Sequence, residues 1–205
     1  MNMNILLIGA GGHALACIDV IESLGNFQII GLVGQPDEIG QQRFGYKVLA
    51  SDSMLIKLLE LSSLALISVG QIKTSNIRAK LFMQAVDLGF IFPKIVSPFA
   101  YVSPHAKIGD GTIVMHGAVI NAAAEIGENC IINSCALIEH GAKIGSHCHI
   151  STGAIVNGDV TVGAGSFLGS RCVIREGLLI GGGSIIGMGA LIKFDLSDNS
   201  TFHPD

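Results

Sequence analysis

The sequence predicts a parallel β-helix of six-residue repeats behind a small α/β unit, and three observations carry that prediction. Stepping by six from Val102 through Ile108, Ile120, Ile138 and Ile150 to Ile192, every one of sixteen positions is Val, Ile or Leu. From residue 106 to residue 190, the position four places after each step is small, as at Ala106, Ala118, Cys130, Ala142 and Ser166, with only Val160 and Leu178 breaking the lane. Ahead of Val102, short apolar runs alternate with helical patterns, and the first run is followed by Gly9-Ala10-Gly11-Gly12. Neither the 3.6-residue period of a helix nor the two-residue period of a strand gives a strict six-residue lane over ninety residues. A stack of short strands and turns does, with three hexads per triangular coil, residues eighteen apart in register and about five coils in all. The branched residue fills the prism and the small one lets the chain turn. Gly109, Gly127, Gly145 and Gly163 read as glycines that ease the corner backbone.

In chain order, Asn4–Ile8 reads as a buried strand. Cys17, Ile18, Ile21 and Leu24 recur at helical spacing, and Gly25 ends that helix. Phe27–Val33 is a second strand, Ser51 caps a helix running through Glu60, and Leu64–Val69 is a third strand. Ser75–Leu88 is a helix closed by Gly89, and Phe90–Val96 a last strand. Alternation of this kind gives a small parallel sheet. Pro93 and Pro98 punctuate the passage into the repeats. The expected division is therefore 1–96 for the α/β unit, 97–194 for the β-helix and 195–205 for a polar, loosely held tail.

Composition narrows the function. Aromatic residues are scarce and Trp is absent, as suits a narrow prism. The net charge of −4 comes without any basic stripe, which argues against nucleic acid. Asp, Asn or Gly interrupts every apolar run short of membrane-spanning length. The start, Met1–Asn4, carries no positive charge and reads as the lead into a strand rather than a signal peptide. Five cysteines without a C-x-x-C pair point to a reducing, cytoplasmic setting, with Cys130, Cys148 and Cys172 as small buried apolar residues. Cys135 and Cys148 are weak candidates as nucleophiles, because no acid or base adjoins either and burial is the simpler account.

Two constellations carry chemistry. Gly9-x-Gly11-x-x-Ala14, between strand and helix, suits a phosphate: glycines let the backbone approach it and the helix N-terminus supplies N–H groups. The second strand ends Val33-Gly34, with no acid to hold a ribose, and the unit is half a dinucleotide fold. A nucleotide-sugar pyrophosphate is thus a better tenant than a nicotinamide cofactor. His13 stands at the helix start. The second constellation is His140, His147 and His149, all off the inward lane and free to project outward. An imidazole there can act as a general base toward an amine or hydroxyl attacking a thioester. His147-x-His149 can also offer two ligands to a metal, and solvated surface histidines would look the same.

The chain resembles the bacterial sugar-nucleotide acyltransferases of the sialic-acid O-acetyltransferase and bacillosamine N-acetyltransferase type. The resemblance runs from Gly9-Ala10-Gly11-Gly12-His13 through Ser68-Val69-Gly70, Arg78 and Ser103-Pro104-His105-Ala106. It is sharpest at Asn133–His140 and at His149-Ile150-Ser151-Thr152-Gly153-Ala154. It implies a left-handed β-helix, a homotrimer with sites between neighbouring prisms, and acetyl-CoA as donor, with no metal. The implied acceptor is a nucleotide-linked amino sugar for surface glycans, with a UDP-linked 4-amino-4,6-dideoxy sugar as the expected form. Gly9, Gly11, Gly12, His13, Gly70 and Arg78 would bind the nucleotide sugar. His149, Gly153, Gly158 and Gly169 would meet acetyl-CoA. His140 would be the base, with Asn133 and His149 near the acetyl group and the reacting amine, and a backbone or imidazole N–H there would steady the oxyanion. No activated Ser or Cys is evident, so direct transfer is expected.

Three departures from the family stand out: Gly141 follows His140 where an acid is usual, Val33-Gly34 replaces a pair of acids, and the chain closes with Phe202-His203-Pro204-Asp205. Glu139, Glu125 or a main-chain carbonyl is left to orient the His140 ring. Sugar O-acetylation, a metal-dependent hydratase on the same prism and an inactive binding protein are the other readings.

Overall fold

The structure, a computed structural model, describes residues 3–204. Met1 and Asn2, at the expected lead into the first strand, and Asp205, at the end of the expected tail, lie outside the described residues. The α/β unit runs β1 (Met3–Ile8), α1 (Gly12–Leu24), β2 (Phe27–Gly34), β3 (Gln42–Arg43), β4 (Tyr46–Ser51), α2 (Leu55–Leu58), β5 (Ala65–Ile67) and α3 (Asn76–Asp87). Its sheet has the order β3-β4-β2-β1-β5, parallel except between β3 and β4. Alternation along β1 divides the core. Ile5 and Leu7 face α1 through Cys17, Ile18 and Ile21, while Leu6 and Ile8 face α3 through Phe82 and Ala85. Both faces of the sheet are covered, which is why β1 is continuously apolar over Ile5, Leu6, Leu7 and Ile8.

Three readings of this unit need correction. The helix expected from Ser51 to Glu60 is only a 3₁₀ turn, Asp52–Met54, and the four-residue α2, because Ser51 Oγ bonds Ser53 Oγ instead of capping a helix. The run Phe90–Val96 is not one strand. Ile91 bridges Leu64, whereas Ile95–Val96 pairs with Ile113–Val114 and starts the β-helix. Strand β4 was not anticipated; it lies toward the sheet edge, next to β2, and pairs with it through Val48, Ala50 and Ser51.

From Ile95 onward the chain is a left-handed β-helix whose three faces carry six, five and seven two-residue strands. Register is eighteen residues throughout, as in Ile126↔Ile144 and Ile132↔Ile150. The branched lane and the small lane fill a single continuous core, from Val114 and Ala118 to Ala190 and Ile192. The third face begins at Ile95–Val96 and covers the α/β unit: Ile95, Ile113, Met115 and Ile131 pack in the same cluster as α1.

The corner glycines act differently from expectation. Gly127 and Gly145 do not need the left-handed region; a Cβ there would lie 2.5 Å from Ser146 N and 2.6 Å from Ala164 N of the next coil. Close stacking of coils, not corner torsion, excludes a side chain. The left-handed corners are elsewhere, at Gly141 and Gly153 and also at Ala123, Cys135, His147 and Asp159. The tail is not loose either. Thr201–Phe202 pairs with Ile185–Ile186 as the last strand of the third face. Asp195 Oδ1 accepts the Leu179 N–H at 2.8 Å, and Asp198 Oδ1 accepts the Gly182 N–H at 2.7 Å.

Ile138 is fully buried at the centre of the prism. Ile138→Ala is expected to lower the free energy of unfolding by about 2–5 kcal/mol, measured by urea denaturation. Gly145→Ala is expected to cost about 1–3 kcal/mol in the same assay, because the next coil's backbone must move.

Candidate active site

Three adjoining hollows form one trough that starts within the α/β unit and continues between it and the third face. The first, about 380 Å³, is lined by Gly9–His13, Gly34, Gln35, Glu38, Asp52, Val69 and Gly70. The second, about 530 Å³, shares His13 and Gly70 with it and adds Gln71, Lys73 and His149. The third, about 590 Å³, shares Ile72 and Lys73 with the second and reaches Phe167, Gly169, Ser170, Met188 and His203 of the last coils.

The glycine loop opens the trough. Gly9 has φ +130°, and a Cβ on it would lie 2.7 Å from Val69 N, so no other residue fits the crossover. Gly11 and Gly12 face open space at the start of α1, where first-turn N–H groups and helix dipole favour an anion. The acids missing from the end of β2 return four residues later. Glu38 Oε2 accepts the Gln35 N–H at 2.8 Å and Oε1 pairs with Arg43 at 2.9 Å, while Arg43 Nε donates to Ala10 O at 2.7 Å. Glu38 thus braces the loop, and the exposed Asp52 is the carboxylate at its rim.

In the middle of the trough, His149 is buried, at 7% exposure, rather than solvated: its ring projects from the prism but lies under the loop after β5. Nδ1 lies 2.6 Å from Gln71 O, and because a carbonyl only accepts, Nδ1 carries the proton. Nε2 then accepts from Asn133 Nδ2 at 3.1 Å, and Asn133 Oδ1 takes the Ser134 N–H at 2.8 Å, which fixes the amide orientation. The imidazole N–H expected to steady an oxyanion is therefore committed to Gln71. Burial pulls His149 down to about 4, with Arg78 adding to the effect against the bond to Gln71. His13 stands 6.4 Å from it, ring to ring. Burial, then Arg78 and His149, pull His13 down to about 3, and its Nε2 is buried without a partner.

Arg78, expected to bind the nucleotide sugar, is 1% exposed and lines none of the three hollows. Its guanidinium donates to the carbonyls of Ile67, Val69 and Asn129 and to Asn129 Oδ1. It ties the loop after β5 to the prism and leaves no N–H for substrate except the buried Nε.

Of the residues expected at acetyl-CoA, Gly169 lines the third hollow. Gly153 and Gly158 do not: the first lies against Arg171, and the second makes room for the His140 ring, whose Cε1 would lie 2.7 Å from a Cβ there. His140 itself is exposed on the prism edge between the first and second faces, opposite the α/β unit. One chain therefore brings together His13, Asn133 and His149 but not His140. His147 turns to Asn129 and Phe82, away from His149. Among the described residues no three His, Cys, Asp or Glu side chains cluster as metal ligands would. Cys148 is buried, and its bond with Cys130, then burial, push its thiol well up; Cys135 is exposed at a left-handed corner, contrary to the expected burial.

Sequence reading missed Gln71, Lys73 and Asp52, whereas His203, in the closing segment already noted as a departure, lines the third hollow. Lys73 borders both the second and third hollows and is a cation available to a phosphate there. Among the described residues no helix is long and apolar enough to cross a membrane.

An α/β phosphate-loop unit docked on a hexapeptide prism, with a trough running between them, defines a two-substrate transferase of the hexapeptide-repeat class. Comparison with known proteins makes the class specific. The PglD N-terminal domain model matches residues 4–85, and the six-repeat bacterial transferase hexapeptide model matches 105–140 and 141–176. No curated protein sequence matches. A perosamine N-acetyltransferase mutant from Caulobacter crescentus, solved with CoA and GDP-perosamine, is 32% identical with a TM-score of 0.91, covering 97% of this chain and 92% of that one. The acetyltransferase domain of PglB from Neisseria gonorrhoeae, in complex with acetyl coenzyme A, is 30% identical with a TM-score of 0.88 and coverage of 98% and 96%. WeeI from Acinetobacter baumannii shares the fold at 21% identity and a TM-score of 0.84. The chain belongs to the PglD-like hexapeptide acyltransferases.

Arg78→Leu is expected to destabilise the fold by about 2–4 kcal/mol in urea, because it strands three buried carbonyls. Acid should act through the two histidines. Both are neutral when folded, whereas the unfolded chain protonates them near the ordinary histidine value of 6.5. The stability they hold is fully present above about 6.5 and is lost as pH falls toward about 4, on the order of 2 kcal/mol each by pH 4.5. Urea midpoints at pH 7 and 4.5 check this, and His149→Gln should flatten the slope.

Proposed function

We propose that this enzyme moves the acetyl group of acetyl-CoA onto the amino group of a nucleotide-linked amino sugar, a step in surface-glycan synthesis in the cytoplasm. The observation that carries the proposal is the continuous trough, with an anion-binding glycine loop at one end and the last coils at the other. The neutral His149–Asn133 pair lies between them. The relatives solved with CoA and GDP-perosamine, and with acetyl coenzyme A, support the same pair of substrates.

The nucleotide diphosphate lies over Gly9, Gly11 and Gly12, with His13 and Gly70 beside it. The pantetheine and phosphates of acetyl-CoA follow Lys73 toward Gly169. The sugar nitrogen attacks the acetyl carbonyl carbon, a C–N bond forms and the carbonyl electrons move to oxygen. Asn133 Nδ2 keeps a second hydrogen, and that is the side-chain donor we assign to this oxygen. His140 takes the proton from nitrogen, the C–S bond breaks, and CoA leaves as the thiol once that proton is passed on.

Because His140 stands on the edge away from its own trough, it must serve the trough of a neighbouring copy. A closed threefold ring supplies that arrangement and is the assembly we propose. The acceptor we favour is a UDP-linked 4-amino-4,6-dideoxy sugar. A GDP-linked acceptor is the second reading, and the GDP-perosamine of the Caulobacter relative favours it.

Thiol release from acetyl-CoA with UDP- and GDP-linked amino sugars tests both. His140→Ala is expected to lower turnover about 10²–10⁴-fold with the assembly intact; an unchanged rate removes the base assignment. Co-expressing His140→Ala with His149→Ala should restore about a quarter of wild-type activity, the share of sites in a random trimer that draw both residues intact from different copies. No recovery would mean that His140 acts within its own chain.

A further inference from the structure

A base must present a free lone pair, and an imidazole does so reliably only when its other nitrogen is held by a partner. Among the described residues the His140 ring makes no side-chain hydrogen bond, so its partner must come from nearby groups that have none of their own. Glu139 is committed: its Oε2 accepts from Asn121 Nδ2 at 2.9 Å and from the His140 backbone N–H at 3.3 Å. Glu125 is on the second face, 2.9 Å from Lys107 Nζ. The preceding coil presents Asn121, Ala122 and Ala123 to this edge, with no charge. Arg175 and Glu176 lie two coils from His140.

That leaves Asp159. Its backbone N–H donates to His140 O at 3.0 Å, which stacks it on Gly141 in the eighteen-residue register. Its exposed carboxylate makes no hydrogen bond or ion pair among the described residues. Two side chains cross the gap between these coils in opposite directions. The His140 ring leans onto Gly158, and Asp159 Oδ1 leans back into the space that a Cβ on Gly141 would occupy. A side chain on Gly141 would meet the Asp159 carboxylate, which would have to turn away from this position. Both corners are left-handed, at φ +69° for Gly141 and +57° for Asp159, a region that Gly and Asp tolerate.

We propose that Asp159, one coil above, is the positioning residue of the His140 base: it takes one ring N–H and leaves the other nitrogen free to accept the substrate proton. The carboxylate does not touch substrate; it sets the tautomer and, once the proton has moved, faces the imidazolium. This rests on His140 being the base.

The test uses the full-length assembly with acetyl-CoA and the best nucleotide-sugar acceptor. Asp159→Asn and Asp159→Gly are expected to lower kcat about 10–100-fold with the KM for acetyl-CoA unchanged. The side-chain ¹⁵N signals of His140 should shift toward an even mixture of tautomers in both. The exchange Gly141→Asp with Asp159→Gly moves the acid by one coil and should return kcat to within about fivefold of wild type. An unchanged kcat in Asp159→Asn overturns the proposal, as does a loss of rate with the His140 ¹⁵N signals unmoved. Failure of the base assignment is read separately: His140→Ala would then keep wild-type turnover, whereas the ¹⁵N comparison needs no turnover and still reports whether Asp159 holds the ring.

Discussion

The molecule depends on one buried cation. Arg78 is enclosed between α3, the end of β5 and an Asn129 corner of the prism, and among the described residues no carboxylate pairs with it. Burial pulls it down only to about 10, so it is charged at neutral pH, held by carbonyl dipoles alone. Those carbonyls belong to both parts of the chain. The guanidinium therefore sets the loop from Ser68 to Thr74 at a fixed height over the third face, and this loop supplies the Gln71 carbonyl that holds His149. Packing of α1 on Ile95, Ile113 and Ile131 supplies area; Arg78 supplies registration.

The prism was legible because its geometry is one-dimensional. One lane that must fill a triangular interior, and one that must leave room for turns, leave their periods in the sequence whatever the rest of the chain does. Where reading failed, polarity or apolarity had a second cause. The run Phe90–Val96 is apolar throughout, yet it crosses from the sheet to the first rung of the prism. The polar residues of the end segment looked like a solvated tail, but Asp195 and Asp198 are polar because they cap backbone N–H groups of the coil beneath. Strand β4 lies toward a sheet edge, where exposed Lys47 breaks the apolar pattern.

Of the candidate site, the meeting of His13, Asn133 and His149 is what the structure bears out, and the layout was not read although the period contained it. Asn133 and His149 are sixteen residues apart, two short of a full coil, so they share a face and can touch. His140 lies seven beyond Asn133, which carries it one corner further round the triangle. Arg78 was misplaced for a different reason. An arginine in a helix after a glycine-loop fold suggests phosphate, and nothing local reveals that its partners are carbonyls from residue 67 and residue 129.

The field of Arg78 also bears on the chemistry. It helps burial keep His13 and His149 neutral, and it acts on any other cation brought into the trough between them. A sugar ammonium is such a cation. On entering, it meets the same desolvation and the same guanidinium, both of which favour its neutral form, and only the neutral amine can attack a thioester. Under the function proposed above, proton removal would then be shared between an environment that disfavours the ammonium and the proposed base on the neighbouring edge. A buried cation beside an amine-binding site, which would be a defect in a site built for affinity, is consistent in a site built to make that amine react.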